Sequence, residues 1–341
     1  MTEPIEQTAP STNGHAPGPP PPVPDLPPVE APSAGFIVQL FVIPAVVVFV
    51  VILVWLLFGK LAGGERDAME YVRLIRESSG NWRAANRAAF ELASLIQNDP
   101  KLAADPKLLG ELTDLLEHNL DAVEDPEMTR YVALALGRFR TLEATTANGQ
   151  KVDPLSALDR ALDAKYPSGV RIAAAASLAE HAARLNGALD DPRPVAALAK
   201  AAEDGEPALK QMAVYALGFF GGDAAAQALR ARLDDGDRFV GYNAAVALAR
   251  RGDPAAQGTL REMLSPAALE KVIDLPSATE RRSKIEAIEL EALLALQASV
   301  AAGKPDLAKS LRAEVEAETK SGLVGVRNNA QALLKSLQTG P

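Results

Sequence analysis

Six stretches of the chain share one pattern, and self-similarity at intervals of roughly 20–50 residues constrains a fold more than composition can. They are "RAANRAAFELA" (83–93), "MTRYVALALG" (128–137), "VRIAAAASLA" (170–179), "LKQMAVYALG" (209–218), "VGYNAAVALA" (240–249) and "VRNNAQALLK" (326–335). Each has an anchor residue, small or branched residues three and four later, and a leucine at seven: Leu92, Leu136, Leu178, Leu217, Leu248 and Leu334. The first five leucines stand 44, 42, 39 and 31 residues apart, and the 86-residue gap to Leu334 leaves room for a degenerate copy through 285–294. Positions three, four and seven after the anchor lie on one face of a 3.6-residue helix. Ala174 with Leu178, and Ala213 with Leu217, therefore form a narrow apolar seam, and alanine there lets helix axes approach closely.

A second helical pattern precedes each copy, as in "PKLLGELTDLLEHNL", "DPRPVAALAKAAED" and "DAAAQALRARLDD". Asp-Pro steps at 99, 105, 125, 153, 191 and 253 mark helix starts, and Gly221-Gly222-Asp223 is a turn between units. An aromatic content of only 5%, with abundant alanine, suits packed helices rather than sheets. The expected fold is all-α, a stack of about six or seven helix pairs.

The inner-helix pattern resembles the HEAT-like repeats, particularly the short variety of phycobilin-lyase-type repeat proteins, whose inner helix reads roughly V-R-x-x-A-A-x-A-L-G. The resemblance spans about 65–337 and implies an α-solenoid. Gly241 and Ala85 depart from it by replacing the anchoring arginine. The unit around 265–282 carries Pro266 and Pro276, which predicts an extra loop or short helix.

The ends of the chain are different material. Residues 1–35 hold 11 prolines and no lysine or arginine, a composition expected of a disordered, partly polyproline-II tail. Residues 36–58, "FIVQLFVIPAVVVFVVILVWLLF", have Gln39 as their one strongly polar residue and are long enough to cross a bilayer. A short linker, 59–64, leads into the repeat domain at 65–339. Lys60, Arg66, Arg73 and Arg76 follow the span, whereas the tail has no basic residue. Retention of positive charge inside then predicts a single-pass protein of the bacterial inner membrane, tail outside and repeats in the cytoplasm.

Chemistry is sparse. The absence of cysteine excludes disulfides and thiolate ligands. Removing the tail's four acids leaves 40 acids against 35 bases, a mildly acidic surface that argues against nucleic acid as a partner. No phosphate loop, dinucleotide fingerprint, nucleophile elbow or zinc spacing is present. His118 and His181 each follow a glutamate. Deoxyhypusine hydroxylases, a HEAT-like enzyme family, ligate iron through several His-Glu pairs. Here the order is reversed and there are two pairs, so surface or cap duty is expected and no metal or cofactor is assigned.

What remains is surface. The expected concave face offers positions two, five and nine after each anchor: Tyr131, Leu134 and Arg138; Met212, Tyr215 and Phe219; Asn243, Val246 and Arg250. Tyr131, Arg138, Met212, Tyr215, Phe219, Asn243 and Arg250 are the candidate protein-binding residues, of types enriched at interface cores. The sequence thus predicts a membrane-tethered scaffold for protein partners, without catalysis of its own and with no small-molecule substrate. The alternatives are a noncatalytic accessory subunit of a membrane complex, or a lyase-like enzyme acting on a protein-bound prosthetic group.

Overall fold

The structure, a computed structural model, describes residues 67–339 except 79–80, 123–124, 186–188 and 190, together with Val48 and Ile52. The tail at 1–35, the linker at 59–64 and all of the expected span at 36–58 except those two residues lie outside the described residues. Among the described residues no helix is long and apolar enough to cross a membrane. The longest helix, Ala278–Ala301, has the length, but its 24 residues include Glu280, Arg281, Arg282, Lys284, Glu286, Glu289 and Glu291. The expected single-pass membrane location is corrected on this finding.

The repeat body is all-α. Its helices are α1 (Ala68–Glu77), α2 (Trp82–Asn98), α3 (Pro106–Ala122), α4 (Pro126–Leu136), α5 (Pro154–Ala161), α6 (Ser168–Arg184), α7 (Pro192–Ala201) and α8 (Pro207–Leu217). They continue as α9 (Gly222–Arg230), α10 (Arg238–Arg250), α11 (Gln257–Met263), α12 (Pro266–Val272), α13 (Ala278–Ala301), α14 (Asp306–Ser310), α15 (Arg312–Glu318) and α16 (Val324–Thr339). Seven inner helices (α2, α4, α6, α8, α10, α13 and α16) stack in order among the described residues. The outer helices from α1 to α9 form a looser second layer.

Local chemistry explains the punctuation. In the Asp-Pro steps the aspartate carboxylate accepts the backbone N–H two residues on, as in Asp125 with Glu127 (2.9 Å), Asp153 with Leu155 (3.0 Å) and Asp191 with Arg193 (3.0 Å). Proline then occupies the first helical position, where a missing N–H costs nothing. Close stacking shows at Gly137 and Gly218, which end α4 and α8. A Cβ on Gly137 would stand 2.6 Å from Ser177 Oγ, and one on Gly218 would stand 3.0 Å from the Ala247 Cβ.

The seam follows the pattern in five copies, with Leu92, Leu136, Leu178, Leu217 and Leu248 wholly buried. In the last copy the register is one residue earlier. Val326, Ala330 and Leu333 are wholly buried, whereas Leu334 only packs against the core's edge. The degenerate copy lies in α13, where Ala292, Leu293 and Leu296 are buried at three, four and seven after Glu289. At 265–282 the chain forms α12 and a short extended stretch, and Ser277 then caps α13 by accepting the Glu280 N–H at 3.3 Å.

One element has no sequence signal. Residues 141–152 form a strap across α3, turning through Gly149 at φ 80°. Thr145 N–H donates to the Pro106 carbonyl (2.9 Å) and Ala147 N–H to Glu111 Oε1 (2.8 Å). The crossing is close because Gly110 has no side chain: a Cβ there would stand 2.3 Å from the Thr145 carbonyl carbon.

Candidate functional site

The inner helices from α2 to α13 bury the residues three, four and seven after the anchor, so positions two, five and nine point away from the seam. Tyr215 is 48% exposed on α8 and meets Phe219 edge-on, with ring centroids 4.9 Å apart. Met212 and Phe219 are half-buried. On α4, Tyr131 is half-buried beneath the Arg130 guanidinium (4.6 Å) and edge-on to Phe90 at 6.4 Å. Arg138 is half-buried, 3.8 Å from the Glu180 carboxylate. On α10, Asn243 is half-buried and Arg250 exposed. Leu134 is half-buried, while Val246, expected to face outward, is buried in the core.

Two residues absent from the sequence-derived set belong to the same surface. Phe90 (62% exposed) stands five after the anchor Ala85, and Leu294 (51% exposed) five after Glu289. Phe90, Tyr215 and Leu294 thus share one repeat position on three inner helices. The signal for Phe90 was in its column. Leu294 was hidden because the charge-rich run before it, with Glu289 at the anchor position, masks the register of its copy.

Two cavities border this surface. The first, about 660 Å³, is lined by Phe239, Tyr242 and Asn243 of α10, by 272–275 after α12, and by Lys284, Ile288 and Glu291 of α13. Tyr242 OH donates to Glu262 at 2.7 Å, which fixes the aromatic floor, and Lys284 Nζ lies 4.7 Å from the Phe239 ring centre. The second is an open cleft of about 970 Å³ that brings Phe219 and Arg250 together with Arg230, Arg251 and Lys304. Arg230 is engaged by Asp253 at 2.6 Å. Arg251 donates to the carbonyls of Leu217 (3.2 Å) and Phe220 and so caps α8. Arg250 and Lys304 have no acidic partner among the described residues.

The two histidines play separate parts. His118 is exposed. His181 is buried, with Nε2 3.0 Å from the Leu136 carbonyl and Nδ1 3.4 Å from an Arg184 nitrogen. Burial, with the Arg184 charge beside it, pushes its pKa down to about 4. Arg184 also donates to Phe139 O (2.7 Å) and Gly137 O, so these side chains close the C-terminal end of α4. Among the described residues no three His, Asp or Glu side chains gather as a metal site would require.

The family model for HEAT repeats matches residues 175–240 and 195–289, and HEAT repeats are therefore present in this chain. No curated protein matches the sequence. Among solved structures, human deoxyhypusine hydroxylase in complex with glycerol is similar at 18% identity, over 83% of this chain and 99% of that one, with a TM-score of 0.30. The expectation that the chain is not an enzyme is corrected beside that finding: an enzyme reading is possible. A likeness this distant carries no argument about the reaction.

Proposed function

We propose that the repeat body is a protein-binding scaffold whose binding surface is the outward face of the inner helices. The observation that carries this reading is the column Phe90, Tyr215 and Leu294, three large apolar side chains exposed at one repeat position. A stack already buries its seam, so exposed aromatic and aliphatic groups in register offer a partner area that costs the fold little to present. Tyr131, Arg138, Met212, Phe219, Asn243 and Arg250 flank the column with the residue types that dominate interface hot spots, and the two cavities would receive projecting side chains.

Site-specific photocrosslinking tests this in the cell of origin, with a photoreactive amino acid at Tyr215 or at exposed Lys107 of outer helix α3. The reading expects discrete adducts from position 215, reduced several-fold by Phe90→Ser with Leu294→Ser, and none of the same mass from 107. Equal adduct patterns from the two positions would overturn it. Tyr215→Ser should leave melting within about 0.5 kcal/mol of the parent, as for an exposed side chain.

A further inference from the structure

The anchor position has a consistent chemistry in the central pairs. Arg171 on α6 is buried and donates from Nε to the Leu162 carbonyl (3.0 Å) and from NH1 to Asp204 (2.7 Å) in the turn after α7. Lys210, the anchor of α8, reaches Asp235 after α9 at 2.5 Å. Each cation thus ties an inner helix to the far end of the next outer helix. Glu289 occupies the same position on α13, since Ala292, Leu293 and Leu296 follow it in the buried seam. The acid that ends the next outer helix is Glu318, the last residue of α15.

Both positions thus carry an acid. Glu289 is 0% exposed and Glu318 4%, and neither oxygen of Glu289 has a hydrogen-bond partner. Burial, then the charges of Glu318 and Glu286, push the Glu289 pKa up to about 8, and burial also raises that of Glu318. Arg250 of α10 and Lys304 after α13 line the open cleft, and other cations of the surrounding elements are engaged elsewhere. Arg238 of α10 pairs with Glu262 of α11, Arg261 with Glu314 (2.5 Å), Arg312 with Glu316 (2.7 Å), and Arg327 of α16 donates to the Ser321 carbonyl (2.7 Å). A buried carboxylate with no hydrogen-bond partner and other acids acting on it is costly to ionise, whereas its protonated form carries no charge to bury.

We propose that the last helices, α14–α16, stay docked on the stack only while the buried Glu289 carboxyl keeps its proton, so that their docking loosens as pH rises. The sign follows from linkage. The folded state holds the proton more tightly than the unfolded chain, so the contribution is complete below the ordinary glutamate range and is lost as pH rises toward about 8. In a stack whose units contact only their neighbours, the loosening stays local. The proton thus sets how far the inner surface extends at its C-terminal end.

The test is amide hydrogen exchange on the full chain at pH 6 and pH 8.5, corrected for intrinsic rates. Protection in 306–339 should fall by on the order of ten-fold or more, because one proton changes the opening constant by up to about ten-fold per pH unit. Protection in α6 and α8 should stay constant. Glu289→Gln, which keeps the shape without the charge, should remove the pH dependence, whereas Glu318→Gln should only reduce it, since the burial of Glu289 remains. An unchanged protection of 306–339 in the parent, or the same fall in Glu289→Gln, would overturn the proposal.

Discussion

The central pairs around α6 and α8 and the last pair around α16 are built on one template, yet they are fastened by opposite chemistry. In the centre, Arg171 and Lys210 bridge to Asp204 and Asp235. At the end, Glu289 is buried without a hydrogen-bond partner, and the charges acting on it are those of Glu318 and Glu286. The comparison separates two things that a consensus pattern merges. Geometry fixes where Arg171 and Lys210 point, namely at the end of the next outer helix. Charge decides only under which conditions that contact holds.

The comparison breaks most visibly at the seam. Leu217 is wholly buried in the centre, so Leu217→Ala should cost about 2–5 kcal/mol in urea denaturation. A loss below about 0.5 kcal/mol would mean that the seam does not carry the stacking. The anchor comes next. Arg171→Ala strips the Leu162 carbonyl of its donor and Asp204 of its partner, and should cost about 2–3 kcal/mol at pH 7. Glu289→Gln at the equivalent site should be neutral or stabilising at pH 8. If both substitutions destabilise alike, the two anchors do not differ as described.

Acid should act on the centre instead. His181 is held neutral, with its pKa near 4 against 6.5 when unfolded, so the unfolded chain binds the extra proton. Stability from this site is complete above about pH 6.5 and is lost as pH falls toward 4, by on the order of 1–3 kcal/mol. His181→Asn should flatten that part of the melting profile. The smallest effect belongs to Leu334→Ala, about 1 kcal/mol, because that side chain is only half-buried at the edge of the last pair.

Much of this was legible in the sequence, and the exceptions have physical causes. The helix pairs, the Asp-Pro starts and five seam leucines follow from periodicity, which tertiary packing has no reason to override. The last copy reads "ALLK", where adjacent leucines leave the register open, and packing against α13 selected Leu333. Glu289 lies in the charge-rich run "RRSKIEAIELEAL", which looks like a solvated face until the neighbouring helices bury it. The strap over α3 is held largely through backbone groups and Gly110, which leave no side-chain pattern to read. For the candidate surface, the column holds at Tyr215 but not at Val246, since exposure depends on neighbours that a one-helix pattern does not contain.

The chain lacks cysteine, so single-cysteine reporters compare the two regions directly. Val214 of α8 and Val315 of α15 are both wholly buried, and Val→Cys at either is a small change. Native-state thiol labelling from pH 6 to 8.5, referenced to the unfolded chain at each pH, should show constant protection for Val214→Cys. Protection of Val315→Cys should fall by on the order of ten-fold or more across that range. Parallel profiles at the two positions would contradict the account.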